Sequence, residues 1–266
     1  MRTTAGKSFD IVRSADREPA IIDPASSALF LDIDGTLLDI APTPGAVVVP
    51  PLLVPLLRDA QREFGGAVAI ITGRRVSEID SLLSPLKLVV SGVHGCEIRS
   101  DPDAGVLTQS PAIDPDLLAG LYELEQKFSG VLIEPKGSGV AVHYRMAPTR
   151  WPELKEQLIR LISNRATQII ISPGRKVFEI LPAGISKGTA LERLLSLTPF
   201  AGRQPVMIGD DAGDAPAFDA AIRQGGHAFR VAGEHFPAAV AEFANPAAVI
   251  GWLRSVLDCA SDAGRS

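Results

Sequence analysis

Five short apolar runs recur along the chain, at 28–33 (ALFLDI), 67–72 (AVAIIT), 88–92 (LVVSG), 205–208 (PVMI) and 227–231 (HAFRV), and helical patterns alternate with them. That alternation predicts a parallel sheet with helices on its faces. Between the first two runs, PPLLVPLLRDAQREF predicts a helix that Pro51 can start at its first position, with Pro55 unfavourable in the turn that follows. SEIDSLLSP (77–85) predicts a shorter helix, capped by Ser77 and closed before Pro85.

The pattern breaks in the middle. Residues 114–128 and 151–163 read as helices, whereas VLIEP, GVAVHYRM, TQIIIS and KVFEILP read as strands. The order helix, strand, strand, helix, strand, strand is that of an α+β unit with an antiparallel sheet. Alternation resumes at SKGTALERLLSL (186–197). The expected architecture is therefore α/β: a Rossmann-like core from 26–108 and 182–258, with an inserted α+β domain at 109–181. Residues 1–25 form an N-terminal extension and 259–266 a tail.

A chain of 266 residues, 46% hydrophobic and 21% charged, has the make-up of a soluble globular protein with ample core. Its net charge of −5, with no Lys/Arg cluster, argues against a nucleic-acid surface. MRTTAGKSFDIVRSADREP has no apolar core of signal-peptide length. The most apolar stretch, AVVVPPLLVPLL (46–57), is too short to span a bilayer and carries three prolines. Cys96 and Cys259 stand far apart in no metal spacing and read as two reduced thiols. A cytoplasmic protein without membrane or nucleic-acid partners is expected.

In open parallel sheets ligands bind outside the carboxyl ends of the strands, and four segments with unusual polar chemistry fall at such ends. In Asp32-Ile33-Asp34-Gly35-Thr36 the two acids face one space if the chain is extended, and like charges that close need a positive partner. Taken alone, an Asp-x-Asp equally fits a loop start with Asx-type hydrogen bonds. In IITGR, the Thr72 hydroxyl can hold an anionic oxygen while Gly73 lets the backbone N–H approach; a helix N-cap is a compatible role. In GISKGTAL, Ser186 can cap a helix and place Lys187 in its first turn, where the helix dipole opposes it unless an anion compensates. G-x-x-x-x-G-K-[ST] is absent, so Lys-Gly-Thr is no phosphate-binding Gly-rich loop. In PVMIGDDAGDAPAF, Asp210 and Asp211 follow an apolar strand and Asp214 lies at a helix start. Three carboxylates there suit a hard divalent cation, and Mg2+ takes one or two carboxylates plus waters and phosphate oxygens.

The order DxDGT, Thr-Gly, Lys, GDDxxD resembles the phosphatase branch of the haloacid-dehalogenase (HAD) superfamily. Over nearly its whole length the chain is also similar to the trehalose-6-phosphate phosphatase family, in FLDIDGTL, PTPGAVVVP, ITGR, SGVHGCEIR, IEPKGSGVAVHYR, VFEILPAGISKG and GDDAGD. The resemblance implies a HAD core with a C2B-like α+β cap. It implies that Asp32 is the nucleophile and forms an aspartyl-phosphate, and that Asp34 acts as acid and then base. Thr72 and Lys187 would neutralise the transferring phosphoryl oxygens. Mg2+ would be held by Asp32, the Asp34 backbone carbonyl and Asp210, with Asp211 and Asp214 supporting. Members that use ATP as a pump fuel carry a non-acidic residue at the place of Asp34, so hydrolysis is implied.

In the inserted unit Glu134, Lys136, His143, Arg145 and Glu179 could face one surface; by pattern alone they are ordinary charges on the solvent side of a half-buried sheet. The resemblance implies that Glu134, Lys136 and Glu179 bind sugar hydroxyls, that His143 and Arg145 shape the same sheet, and that Gly73, Arg74 and His94 adjoin the substrate. The implied substrate is trehalose 6-phosphate; association with a trehalose-6-phosphate synthase stays open. Gly213-Asp214-Ala215 departs from the family's usual Thr-Asp-Glu, which leaves the fine positioning around the metal in question. Two alternatives stand beside this reading. One is a phosphatase for another sugar phosphate with the same cap class, and the other is a non-catalytic sugar-phosphate sensor or regulatory subunit.

Overall fold

A computed structural model describes residues 19, 22–41, 44–165 and 168–263. Most of the extension 1–25, Pro42 and Thr43 of PTPGAVVVP, Thr167 of TQIIIS and residues 264–266 of the tail lie outside the described residues. The first half runs β1 (Ser27–Leu31), α1 (Leu53–Glu63), β2 (Val68–Ile71), α2 (Val76–Leu82) and β3 (Val89–Gly92), then β4 (Glu97–Arg99) and β5 (Leu107–Thr108). Next come α3 (Pro115–Lys127), β6 (Leu132–Pro135), β7 (Val140–His143), α4 (Trp151–Ile162), β8 (Ile169–Gly174) and β9 (Val177–Pro182). The chain closes with α5 (Lys187–Leu195), β10 (Gln204–Gly209), α6 (Ala215–Arg223), β11 (His227–Arg230) and α7 (Pro246–Ala263), which runs beyond the expected core end at 258.

One sheet has the order β11-β10-β1-β2-β3-β4-β5. Its first five strands are parallel, and β4 and β5 add an antiparallel edge that the apolar-run pattern did not reveal. Alternation along β1 explains the layering. Leu29 and Leu31 enter one core with side chains of α1, α2 and α7, whereas Ala28 and Phe30 enter the other with α5 and α6. Every β1 side chain is buried, and each large aliphatic one contributes about 1.5–3 kcal/mol to burial. The second sheet, β6-β7-β9-β8, is wholly antiparallel. Ile133, Val142, Phe178 and Ile180 pack from it against Leu117 and Leu121 of α3 and Leu154 and Leu158 of α4, leaving its opposite face for the cleft.

Two helix starts differ from expectation. α1 begins at Leu53, with Leu52 rather than Pro51 at the boundary, so Pro55 sits in the first turn, where its missing N–H costs no helical bond. α2 is capped at Arg75, not Ser77, because the Glu78 carboxylate accepts the Arg75 N–H at 2.9 Å and Glu97 accepts that of Val76 at 2.9 Å.

Candidate active site

The parallel sheet reverses its order at β1. From β1 the chain proceeds to β2 and β3 on one side and returns much later to β10 and β11 on the other. The crevice outside the carboxyl ends of β1 and β10 is the place where such sheets bind ligands, and Asp32 and Asp210 occupy those two tips. The Asp32 N–H extends the ladder by donating to Ile208 O at 3.0 Å. Asp32, Asp210 and Asp214 each present a carboxylate oxygen within 4.8 Å of the others.

Lys187 joins this group. Ser186 caps α5 by accepting the Thr189 N–H, which makes Lys187 the first residue of the helix. Its side chain is 4% exposed, and its Nζ donates to Asp32 Oδ1 at 2.7 Å and Asp214 Oδ1 at 2.6 Å. Those acids compensate the dipole that disfavours a cation in the first turn. The other oxygen of the fully buried Asp214 accepts the N–H groups of Asp210 and Asp211 at 3.1 and 3.0 Å. Both Asp214 oxygens are thus committed to the scaffold. Gly35 shapes the same spot: its φ is +87°, and a Cβ there would lie 2.1 Å from Asp210 Oδ2.

Burial pushes the Asp32 carboxyl well above the usual range against the pull of Lys187, with Asp214 and Asp210 adding to the rise. Burial and then Asp214 push Asp210 up to about 7. Lys187 moves up because Asp214 and Asp32 outweigh its own burial. Three carboxylates share one buried ammonium, and the Arg175 guanidinium only approaches Asp210 at 4.0 Å, so the cluster keeps a net negative charge when all are ionised. Hard oxygen donors with that deficit fit a divalent cation such as Mg2+.

The remaining expected acids are engaged elsewhere. Both side-chain oxygens of Asp34 are gripped by Arg74, Nε to Oδ2 at 2.6 Å and Nη2 to Oδ1 at 2.7 Å, and Glu78 lies 3.6 Å from the same guanidinium. Asp211 accepts the N–H of Ala212 and that of Arg175 on the β8–β9 turn, and His235 Nε2 lies 2.7 Å from it. The side chains of Asp34 and Asp211 therefore stand apart from the Asp32–Asp210–Asp214 cluster. Thr72 is buried at the tip of β2, its hydroxyl accepting the Arg74 N–H at 3.2 Å.

The second sheet covers this floor. Cross-strand register places Glu134, Ala141 and Glu179 in one row. Lys136, just beyond β6, donates to Gly73 O at 3.0 Å and lies 3.5 Å from Glu134 and 3.6 Å from Glu179. Burial alone would push Glu179 up, but Lys136 and then His94 hold it at about 2. Glu179 Oε1 is 3.4 Å from His94 Nε2, while its Oε2 is buried without a hydrogen-bond partner. His94 sits at φ +57° next to Val93 at +47°, strained backbone for both side chains, and a Cβ on Gly73 would come within 2.7 Å of its ring. His143 Nε2 is 2.8 Å from Glu134 Oε2, and Arg145 donates to the Ala41 carbonyl.

Asp32, Asp34, Arg74, Lys187, Asp210 and Asp211 of the floor and Glu134, Lys136, His143, Arg145 and Glu179 of the second sheet, with Thr72 and His94, line one cleft of about 500 Å³ between the two sheets. Sequence reasoning missed two of its charged side chains, together with the apolar ones that line it, such as Leu132, Met146 and Val177. Glu78 supports Arg74, and Arg175 brings a guanidinium to 4.0 Å from Asp210 and 3.5 Å from Glu234. The Gly174-Arg175-Lys176 turn is legible between two strand patterns, but what it touches depends on how the sheets dock.

Among the described residues no helix is long and apolar enough to cross a membrane. The family model described as trehalose-phosphatase matches residues 30–239. The chain is 43% identical over 222 residues to a probable trehalose-phosphate phosphatase of Sinorhizobium fredii, covering 83% of each. It is 36% identical over 212 residues to the trehalose-6-phosphate phosphatase of Escherichia coli, covering 78% of each. Its fold is similar to that of the C. albicans trehalose-6-phosphate phosphatase C-terminal domain, with a TM-score of 0.75 at 20% identity over 88% of this chain and 93% of that one. A family match across most of the chain and relatives at this identity agree: the chain belongs to the trehalose-phosphatase family.

Proposed function

We propose that this protein hydrolyses trehalose 6-phosphate to trehalose and phosphate in a Mg2+-dependent reaction that passes through an aspartyl-phosphate on Asp32. The observation that carries the reading is the buried floor, where Lys187 bridges Asp32 and Asp214 beside Asp210, set opposite a roof of Glu134, Lys136 and Glu179.

Lys187 holds Asp32 Oδ1, which leaves the other oxygen to attack phosphorus. A bond forms from Asp32 to phosphorus as the bond from phosphorus to the sugar oxygen breaks, and Asp34 gives that oxygen its proton. Asp34 then takes a proton from water, the water oxygen bonds to phosphorus, and Asp32 leaves with inorganic phosphate as the second product. Arg74 grips both Asp34 oxygens, so one of them must leave Arg74 before Asp34 can carry the proton it gives, while Lys187 neutralises the equatorial phosphoryl oxygens and Thr72 donates a hydrogen bond to them. Held by Asp32, Asp210 and the Asp34 carbonyl, Mg2+ would supply the positive charge that the floor lacks. Asp214 anchors Lys187, and Asp211 ties the floor to the β8–β9 turn.

The roof suits a polyol. Each sugar hydroxyl both donates and accepts, and carboxylates beside an ammonium answer both needs. Gly73 and His94 brace the ends of Lys136 and Glu179. The two free thiols agree with a reducing, cytoplasmic setting.

Phosphate release from trehalose 6-phosphate, sucrose 6-phosphate and glucose 6-phosphate, with Mg2+ and with a chelator, tests the proposal. Release is expected to favour trehalose 6-phosphate and to stop on chelation. Full activity with the chelator contradicts the metal assignment, and equal rates on glucose 6-phosphate remove the disaccharide reading.

A further inference from the structure

The cleft-facing side of the second sheet carries two unlike rows. The inner row, Glu134–Ala141–Glu179, is tied to the core near Thr72 through Lys136 on Gly73 and through His94. Two residues further along each strand lies an outer row, Leu132–His143–Val177. A two-residue step in an antiparallel strand is roughly 7 Å, of the order of one sugar ring's breadth.

Leu132 and Val177 line the cleft instead of entering the hydrophobic core beneath the sheet, and Leu132 is 56% exposed. Met146, beyond the end of β7, also lines the cleft and is 83% exposed. Ile40 and Val47 line the same cleft from the core. Between Met146 and His143 stands Arg145, whose hydrogen bond to the Ala41 carbonyl draws the two walls together. Apolar side chains left open inside a ligand groove mark a recognition surface.

Resting on the proposed trehalose 6-phosphate reading, we infer that Leu132, Val177 and Met146 form an apolar shelf that takes the C–H face of the substrate's second, unphosphorylated ring. The inner charged row binds hydroxyls of the rings, and His143 adds a polar contact at the middle of the shelf. The shelf determines specificity: a monosaccharide phosphate reaches the floor but leaves the shelf empty. Its preferred ligands are disaccharide phosphates whose distal pyranose presents an apolar face.

Steady-state kinetics of full-length Leu132→Asn and Leu132→Met with trehalose 6-phosphate and glucose 6-phosphate test the shelf. Leu132 is exposed, so neither substitution removes core packing. Leu132→Asn is expected to raise KM for trehalose 6-phosphate about tenfold, the size of a lost apolar contact in a pocket, with kcat unchanged. Glucose 6-phosphate kinetics stay as in the wild type, and Leu132→Met restores the wild-type KM for the disaccharide. An unchanged KM in Leu132→Asn, or equal losses on both substrates, overturns the shelf while wild-type hydrolysis of trehalose 6-phosphate keeps the underlying reading. A wild type that releases no phosphate from trehalose 6-phosphate removes both.

Discussion

Lys187→Met should leave the shape of the buried floor nearly intact and remove its one ammonium. In the wild type that ammonium donates at 2.7 Å to Asp32 and 2.6 Å to Asp214, with Asp210 in the same cluster. Without it three buried carboxylates face each other with no cation nearer than the Arg175 guanidinium, 4.0 Å from Asp210. Breaking a buried ion pair by deleting one partner costs about 3–5 kcal/mol. At about 2–4 °C per kcal/mol for a chain of this size, the metal-free variant should melt roughly 6–20 °C lower near neutral or higher pH. The deficit should depend on pH. Losing Lys187 drives the folded-state values of Asp32 and Asp210 further above their unfolded values, and Asp210 already stands at about 7 with Lys187 present. A group raised on folding stabilises below its unfolded value and loses that contribution as pH climbs through the folded one. The gap between variant and wild type should therefore be small at about pH 5 and wide at about pH 8. Thermal melts of both proteins in chelator at those two pH values read it out. Equal melting temperatures at the higher pH, or a deficit of the same size at both, would refute the shared-charge floor.

Two further outcomes follow from the geometry. Glu179→Gln removes the acid held at about 2 by Lys136 and His94 and leaves Lys136 without a buried countercharge 3.6 Å away. It should raise KM for trehalose 6-phosphate roughly tenfold or more with a smaller effect on kcat, checked by initial rates over a substrate series. Gly35→Ala places a methyl where Asp210 Oδ2 lies 2.1 Å away and forces a side chain to φ +87°. Turnover should fall at least about a hundredfold and stability by about 1–3 kcal/mol, seen in initial rates and urea titration.

The five apolar runs predicted the parallel strands because buried strands leave a local signature, a short continuous run of aliphatic side chains. The same rule places Asp32, Thr72 and Asp210 at strand ends, and the Ser186 cap places Lys187 one residue into α5. β4 and β5 escaped because EIR and LT are too short to show a period. The start of α2 shifted because Glu78 and Glu97, not the nearest serine, satisfy the backbone around Arg75, whereas α1 starts after Leu52 with no side-chain cap for a local pattern to show. Nor could spacing separate the acids. Asp214 binds Lys187 across 27 residues, Asp34 binds Arg74 across 40, and Asp211 meets Arg175 across 36. Those partnerships are set by the docking of the inserted sheet and by topology, for which a linear pattern carries no signal.

Rapid-quench turnover of phosphate-labelled trehalose 6-phosphate, followed by mapping of labelled peptides, looks for the covalent step itself. The proposed chemistry puts the phosphoryl group on Asp32 within the first turnover in Mg2+, and Asp32→Asn should carry no label and release at least about a thousandfold less phosphate. Label on another residue, or wild-type turnover by Asp32→Asn, would contradict it.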